Sequence, residues 1–398
     1  MNRLAFAAAL LSTAAPLAAE THRVTPGEGA GTRLQEALIL AAPGDVIELG
    51  EGRFTLTDGL SLDVDGVTVR GAGMDKTVLD FTAQEGSGEG LLVTSDNVTL
   101  RDFAVENPKG DGIKSKGADM IVYSGIRVEW TGGPKATNGA YGIYPVESTG
   151  VLVTNSKVSG ASDAGIYVGQ SRDITVSENV VTYNVAGIEI ENSRNALVEN
   201  NIASRNTGGL LVFDLPGLPV MGGGNVILRE NIVADNDTPN FAPPGNIVAS
   251  VRRGTGVLVM ANDGVLIEDN AFENNPTAHV MVIAYVQKFD DPRYNPYARN
   301  VIVGPNAFGR GGDDPQLDGK EQLLGAFGGA LPPVLWDGIE EDGNGLKIAE
   351  GVTGWTLNLK KPGQSIAEAQ PGPLMLTPLE SWEFPEVGAP AALEVRLK

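Results

Sequence analysis

The chain contains no cysteine and only two histidines among 398 residues. Without thiolates, structural zinc or copper clusters lack a ligand set, and no disulfide can brace the fold. Aromatic residues make up only 6% of the chain, so its core must be largely aliphatic. Basic residues are outnumbered 29 to 50, giving a net charge of −21. That balance argues against nucleic acid or an anionic membrane surface as a partner. No apolar run is long enough to span a bilayer. The Gly222-Gly223-Gly224 stretch has no phosphate-loop lysine, so nucleotide binding has no support. At the N-terminus, Arg3, the apolar Leu4 to Leu11 and the small residues ending Leu17-Ala18-Ala19 predict a secretory signal over residues 1–19. No lipoprotein cysteine follows it, so the expected location is periplasmic or secreted.

Glycine, in contrast, is abundant, and it keeps a beat. Gly142, Gly165, Gly187 and Gly209 each open an apolar strand, at intervals of 23, 22 and 22 residues. Ser156, Asn179 and Asn201 mark the same period, as do Asn184 and Asn206. Within a rung such as Ile166 to Asn184, apolar and polar residues alternate over three short runs separated by Gly, Ser, Asn and Asp. Three strands and three corners per rung predict an all-β parallel solenoid, each coil burying its apolar face against the next. Asn179, Asn201, Asn231 and Asn270 are expected to stack at one corner, and Asn184, Asn206, Asn236 and Asn274 at another, where Asn tolerates a left-handed backbone. A capping box at Thr32 to Gln35 predicts a short helix that plugs the N-terminal end. The expected division is a signal over 1–19, a solenoid with its N-terminal cap over 20–308, and an irregular C-terminal extension over 309–398 that caps the end or packs on the side.

Interruptions of the beat locate the chemistry. Gly112 to Gly142 and Gly209 to Gly256 span 30 and 47 residues, which places insertions at Trp130 to Gly139, Leu215 to Gly224 and Asp237 to Thr255. Counting two residues on from each marker glycine gives an outward column Lys114, Tyr144, Tyr167, Glu189, Leu211, Leu258 and Met281. Two further gives Lys116, Val146, Gly169, Glu191, Phe213, Met260 and Ile283. The apolar end of these columns must be covered. The polar end is expected to floor an open groove, with Lys114, Lys116, Tyr144, Tyr167, Glu189 and Glu191 as floor. The Trp130 loop would wall one side, the loop carrying Arg252 and Arg253 the other, and Asp163 would sit at a corner. Aromatic platforms beside carboxylates suit sugar rings. Tyr167, Glu189, Lys114 and Asp163 are the candidate catalytic groups, with Tyr or Lys as base and Glu or Asp as acid. Tyr144, Lys116, Glu191, Trp130 and Arg252 are the candidate substrate contacts. His279 falls at a marker-glycine position and is expected to be structural. No cofactor is required; Asp290-Asp291 and Asp313-Asp314 could hold Ca²⁺.

The opening coils, with Pro43-Gly44-Asp45-Val46-Ile47-Glu48-Leu49 and Val67-Thr68-Val69-Arg70-Gly71-Ala72-Gly73, resemble those of right-handed, single-stranded parallel β-helix proteins of the pectate-lyase-like superfamily. Over residues 30–308 the chain is most similar to exported parallel β-helix repeat proteins of unassigned function, on Gly142-Ile143-Tyr144-Pro145-Val146 and Gly209 to Pro216. The resemblance is specific for fold and not for activity; the groove residues and the signal give the expectation of an exported protein that binds a polysaccharide in a lateral groove. If it processes the glycan, it would do so as a lyase, epimerase or glycoside hydrolase. The alternative it implies is a non-catalytic scaffold acting with another exported protein. The Asn-Thr-Asp, paired-Asp and Gly-His-Gly set of polygalacturonases and the Asp-Pro-His signature of mannuronan epimerases are both missing, so no family's catalytic residues transfer.

Overall fold

A computed structural model describes residues 19–86, 88–378 and 383–398. The expected signal, apart from Ala19, lies outside the described residues. Alternating apolar residues make the strands, and short polar corners turn them. One coil runs Ala164–Gly169, Arg172–Ser177 and Val180–Thr182 before the next begins at Ala186. Stacking these coils gives, among the described residues, three sheets of 12, 12 and 10 strands. The first sheet runs from Thr21–Val24 to Leu346–Ile348, the second from Leu60–Leu62 to Gly354–Thr356, and the third from Gly52–Thr55 to Ala307–Phe308. Pairing is parallel throughout, except where Gly372–Pro373 closes the end of the second sheet antiparallel. Ile166, Val168, Ile174, Val176 and Val181 all point inward and are fully buried, in a core that continues along the axis. A solenoid enlarges its core this way, one coil at a time.

The corners are held by side chains. Asn179 N–H donates to Asn201 Oδ1 at 3.0 Å and its Nδ2 to the same atom at 3.0 Å, and the pattern repeats through Asn231, Asn270 and Asn306. Ser156 heads this ladder, its N–H reaching Asn179 Oδ1 at 2.9 Å. The second ladder runs Asn184, Asn206, Asn236 and then Asn275, not Asn274 as expected. Nor do the ladder asparagines adopt the left-handed backbone. The residue before each one except Asn306 does, as at Glu178, Asn200, Glu230 and Asp269 with φ of 58°, 55°, 54° and 55°, and Asn274 at 50°. Asn274 is therefore the corner residue and Asn275 the rung. A third ladder of serines, Ser148, Ser171 and Ser193, was not anticipated; each backbone N–H meets the next hydroxyl at 3.0 Å. The marker glycines follow from the second ladder, since a Cβ on Gly165 would lie 2.7 Å from Asn184 Nδ2 and 2.9 Å from Gly187 O.

The N-terminal end departs from expectation in detail. Helix α1 spans Ala30–Leu40 with Gly29 at its N-cap and no side-chain cap, so Thr32 to Gln35 is not a capping box. Gln35 instead exchanges two 2.9 Å hydrogen bonds with the backbone of Ser61, docking the helix on the first coils over Leu34 and Leu38. At the other end the sheets run on past Phe308, through Val334–Trp336, Leu346–Ile348 and Gly354–Thr356. The last residues then return along the first sheet. Leu393 packs on Val122 and Leu152, and Arg396 donates to Thr99 Oγ1 at 2.6 Å.

Asn201→Ala should be costly, because it orphans the buried N–H of Asn179 and leaves Val176 O and Glu199 O without their Nδ2 donor. Denaturant unfolding should show a loss of about 2 kcal/mol or more. A change of a few tenths would mean that the ladder is not a stabilising element.

Candidate active site

The second sheet carries the outward columns in the expected register. Lys114 pairs with Tyr144, Tyr167 with Glu189, and Glu189 with Leu211, Leu258 and Met281 in turn. Gly169 pairs with Glu191 in the neighbouring column. Gly169 has no Cβ, and one built there would strike the Tyr167 ring at 2.3 Å. The ring therefore lies down over Gly169, and its hydroxyl donates to Glu191 Oε1 at 2.6 Å.

The expected open groove is not there. Tyr167, Glu189, Glu191 and Asp163 are exposed by only 4%, 3%, 7% and 6%. The 237–255 insertion folds over them, with Ile247, Val248, Val251 and Phe241 packing into an outer apolar cluster that also includes Leu211, Phe213 and Leu258. The need to cover the apolar columns thus seals the adjoining acids as well. Trp130 is not a groove wall: it points inward, and its indole donates to Pro108 O at 2.8 Å. Arg252 is exposed but lines a separate cleft with Leu258 and Met281. Lys116 is exposed and pairs with Glu147 at 3.8 Å.

What the fold assembles instead is a chamber of carboxyls walled by tyrosines. Burial, then the Glu191 and Asp111 charges, push Asp163 up to about 8, although Asn246 and Tyr141 hydrogen-bond its side chain. Burial and the same kind of repulsion hold Glu189 well above the usual range, and Glu189 and Glu191 share a hydrogen bond. Glu191 is also raised by burial, though hydrogen bonds from Tyr167 and Glu189 favour its charged form. Glu189 Oε2 has no partner among the described residues. Burial raises Tyr167 as well, so its phenol stays protonated and serves as a donor to Glu191. The base role considered for this tyrosine does not fit that geometry.

Beside the carboxyls, tyrosines reach the surface. Tyr141, Tyr144 and Tyr167 form a ring cluster with centroids 4.5 to 5.0 Å apart, and only the first two are partly exposed. Lys114 Nζ sits 4.8 Å above the Tyr144 ring, tied to Glu89 at 3.3 Å and Asp111 at 3.9 Å. Asp111 is raised by burial to about 6. Asp111, Tyr141, Asn246 and Glu89 were missed from the sequence. Tyr141 left a signal: its register partners Ala164, Ala186 and Gly208 are small, so the large ring marks where the covering loop stops. A further insertion, 285–298, was also missed; its Tyr294 hydroxyl donates to Asp214 O at 2.6 Å and completes the cover.

Three of the four aspartates considered for Ca²⁺ are paired with basic side chains. Arg293 holds Asp291 at 2.6 Å, Arg310 holds Asp313 at 2.6 Å, and Arg253 and Lys320 hold Asp314 at 2.6 and 3.5 Å. Among the described residues, no group of three or more His, Asp or Glu side chains is placed to hold a metal ion. His279 occupies its glycine position in the stack, 3.2 Å from both Asn275 Nδ2 and Gly309 O.

The buried acids fix a sign for pH dependence. Asp163 has a raised folded-state pKa, so its stabilising contribution is complete below the ordinary 3.8 and is lost as pH rises through about 8. Unfolding free energy should therefore fall across that window. Asp163→Asn should flatten the fall, as measured by denaturant titration at a series of pH values. An unchanged pH slope in the variant would refute the assignment.

A model of the right-handed β-helix region matches residues 65–217. No curated protein matches the sequence. Among solved structures, the A-module of a mannuronan C-5 epimerase from Azotobacter vinelandii is similar with a TM-score of 0.57 at 14% identity, covering 83% of this chain and 94% of that one. A DFA-IIIase from Arthrobacter chlorophenolicus, determined without its lid and in complex with GF2, gives a TM-score of 0.52 at 12% identity, covering 86% and 96%. The N-terminal fragment of gene product 12 of bacteriophage Phi29 gives 0.51 at 14% identity, covering 80% and 59%. At such identities the likeness establishes the fold alone, and on that evidence, together with its own three parallel sheets, the chain is a right-handed parallel β-helix protein.

Proposed function

We propose that this is an exported protein that binds a polysaccharide on the lateral face of the second sheet and acts on it by acid–base chemistry in the Asp163–Glu189–Glu191 chamber. One observation carries the proposal: three neighbouring carboxyls are buried together in unequal settings, with Asp163 pushed up to about 8 by burial and repulsion and Glu191 raised by burial but receiving hydrogen bonds from Tyr167 and Glu189 that favour its charged form. Neighbouring carboxyls in unequal settings can divide the roles of acid and base. Asp163 is the proton donor. Glu191, whose charge is supported by Tyr167 and Glu189, is the base. Tyr144 and Tyr141 form the entrance platform for a sugar ring, with Lys114 beside it. Access requires the tip of the 237–255 loop to lift, while Arg253, bonded to Asp237 and Asp314, anchors its base. Support from related folds is general: two of the similar structures are named for a mannuronan epimerase and a DFA-IIIase.

A second function is favoured by the closure itself. Carboxyls this well sealed could serve only to lock the loop, and the protein would then be a non-catalytic scaffold acting with another exported protein.

A screen of uronate-containing and neutral polysaccharides for lyase, epimerase and hydrolase products decides between them. Under the catalytic proposal, Asp163→Asn and Glu191→Gln should each lower turnover roughly 100-fold or more, and the wild type should show a bell-shaped pH profile. If the wild type neither binds nor converts any of these glycans, and both variants are merely more stable, the scaffold remains.

A further inference from the structure

Beyond the sealed chamber, the outward columns of the second sheet become wholly apolar. The register continues Leu258, Met281 and Leu335 in one column, with Met260 and Ile283 in the other. Stacked strands repeat every ~4.8 Å, so these side chains make a continuous apolar track along the helix axis. The covering segments leave Leu258, Met260, Met281 and Leu335 only 2 to 8% exposed, at the bottom of a cleft. Between the end of the 237–255 insertion and the 363–366 segment lies a cleft of about 420 Å³. That volume falls within the roughly 300–1,000 Å³ of small-molecule sites. Val286 stands at the cleft 56% exposed, and the two methionines give it an adaptable lining. The cleft shares no residue with the carboxyl–tyrosine chamber.

The charged groups of the cleft are few and unequal in their commitments. Asp337 is buried at its floor, with Oδ2 accepting from Ala284 N at 2.7 Å and Oδ1 from Ile339 N at 2.9 Å. Its carboxylate is therefore already spent on the backbone. Asp318 is exposed. Arg252, also exposed, has no carboxylate in ion-pair distance among the described residues, although acids outnumber bases 50 to 29. Its neighbour Arg253, by contrast, is held by both Asp237 and Asp314. An unpaired guanidinium beside an apolar track is complementary to an amphiphile with an anionic head.

We propose that this cleft is a binding site for a single-chain fatty carboxylate, its alkyl chain laid along Leu258, Met281 and Leu335 and its head group on Arg252. The inference does not depend on the carbohydrate function proposed above.

The test is calorimetric titration of the full chain with dodecanoate below its micellar concentration. One saturable site is expected, with Arg252→Glu weakening it about tenfold or more, equivalent to ~1.4 kcal/mol. Met281→Trp should fill the cleft and abolish binding; because Met281 is buried, Ile283→Trp, made at a half-buried position, provides the second filling variant. Dodecyltrimethylammonium should not bind the site. The proposal is overturned if dodecanoate fails to bind, if the cationic amphiphile binds as well, or if neither filling variant has an effect in a folded protein. Co-sedimentation with anionic vesicles but no binding of the free acid would equally overturn it, pointing to a membrane surface instead.

Discussion

Every coil of this protein must turn three corners, and in coils such as 164–184 the chain enters, at Gln170, Glu178 and Tyr183, a left-handed conformation that non-glycine residues adopt only at a cost of order 1 kcal/mol or more. Such corners also take backbone N–H groups out of the sheet ladders. The asparagine ladders at two corners and the serine ladder at the third answer both problems. Each ladder Oδ1 receives the N–H and the Nδ2 of the preceding coil, as Asn201 does for Asn179, so successive coils are clamped in one register. Any slip by one residue would turn Ile166 and Val168 outward and the outer columns inward. Core, outer columns and site all inherit their geometry from these corners.

The outer face shows a second constraint at work. Leu211, Phe213, Leu258, Met260 and Met281 point away from the core and would form a large bare patch. Insertions of the chain cover it, and the cover creates a second apolar core outside the helix. Carboxyls one and two rungs away are caught beneath the same cover. Their raised pKa values thus follow from a packing requirement imposed by their apolar neighbours.

Much of this was legible in residue spacing. The marker glycines, the two outward columns and the inward Val and Ile positions were read correctly because strand periodicity and coil length are local and repetitive. The errors arose where one position could play two roles. Asn274 and Asn275 stand side by side, and only the backbone torsion separates corner from rung. Trp130 was read as a loop residue, but its indole fills the core and reaches Pro108 O. Thr32 to Gln35 matched a cap, whereas Gln35 is used to dock the helix on Ser61.

The sequence by itself determined the coil, its register, its aliphatic core and the columns in which Lys114, Tyr144, Tyr167, Glu189 and Glu191 stand. These are consequences of a pattern that repeats every 22 or 23 residues, and each coil needs only its neighbour to define it. Tertiary structure alone decided that the expected groove is a closed chamber, that Asp111, Tyr141 and Asn246 belong to it, and that Arg252 stands over a different cleft. Those outcomes depend on where the long insertions fold back. An insertion has no period, and its course is set by the apolar surface it must cover.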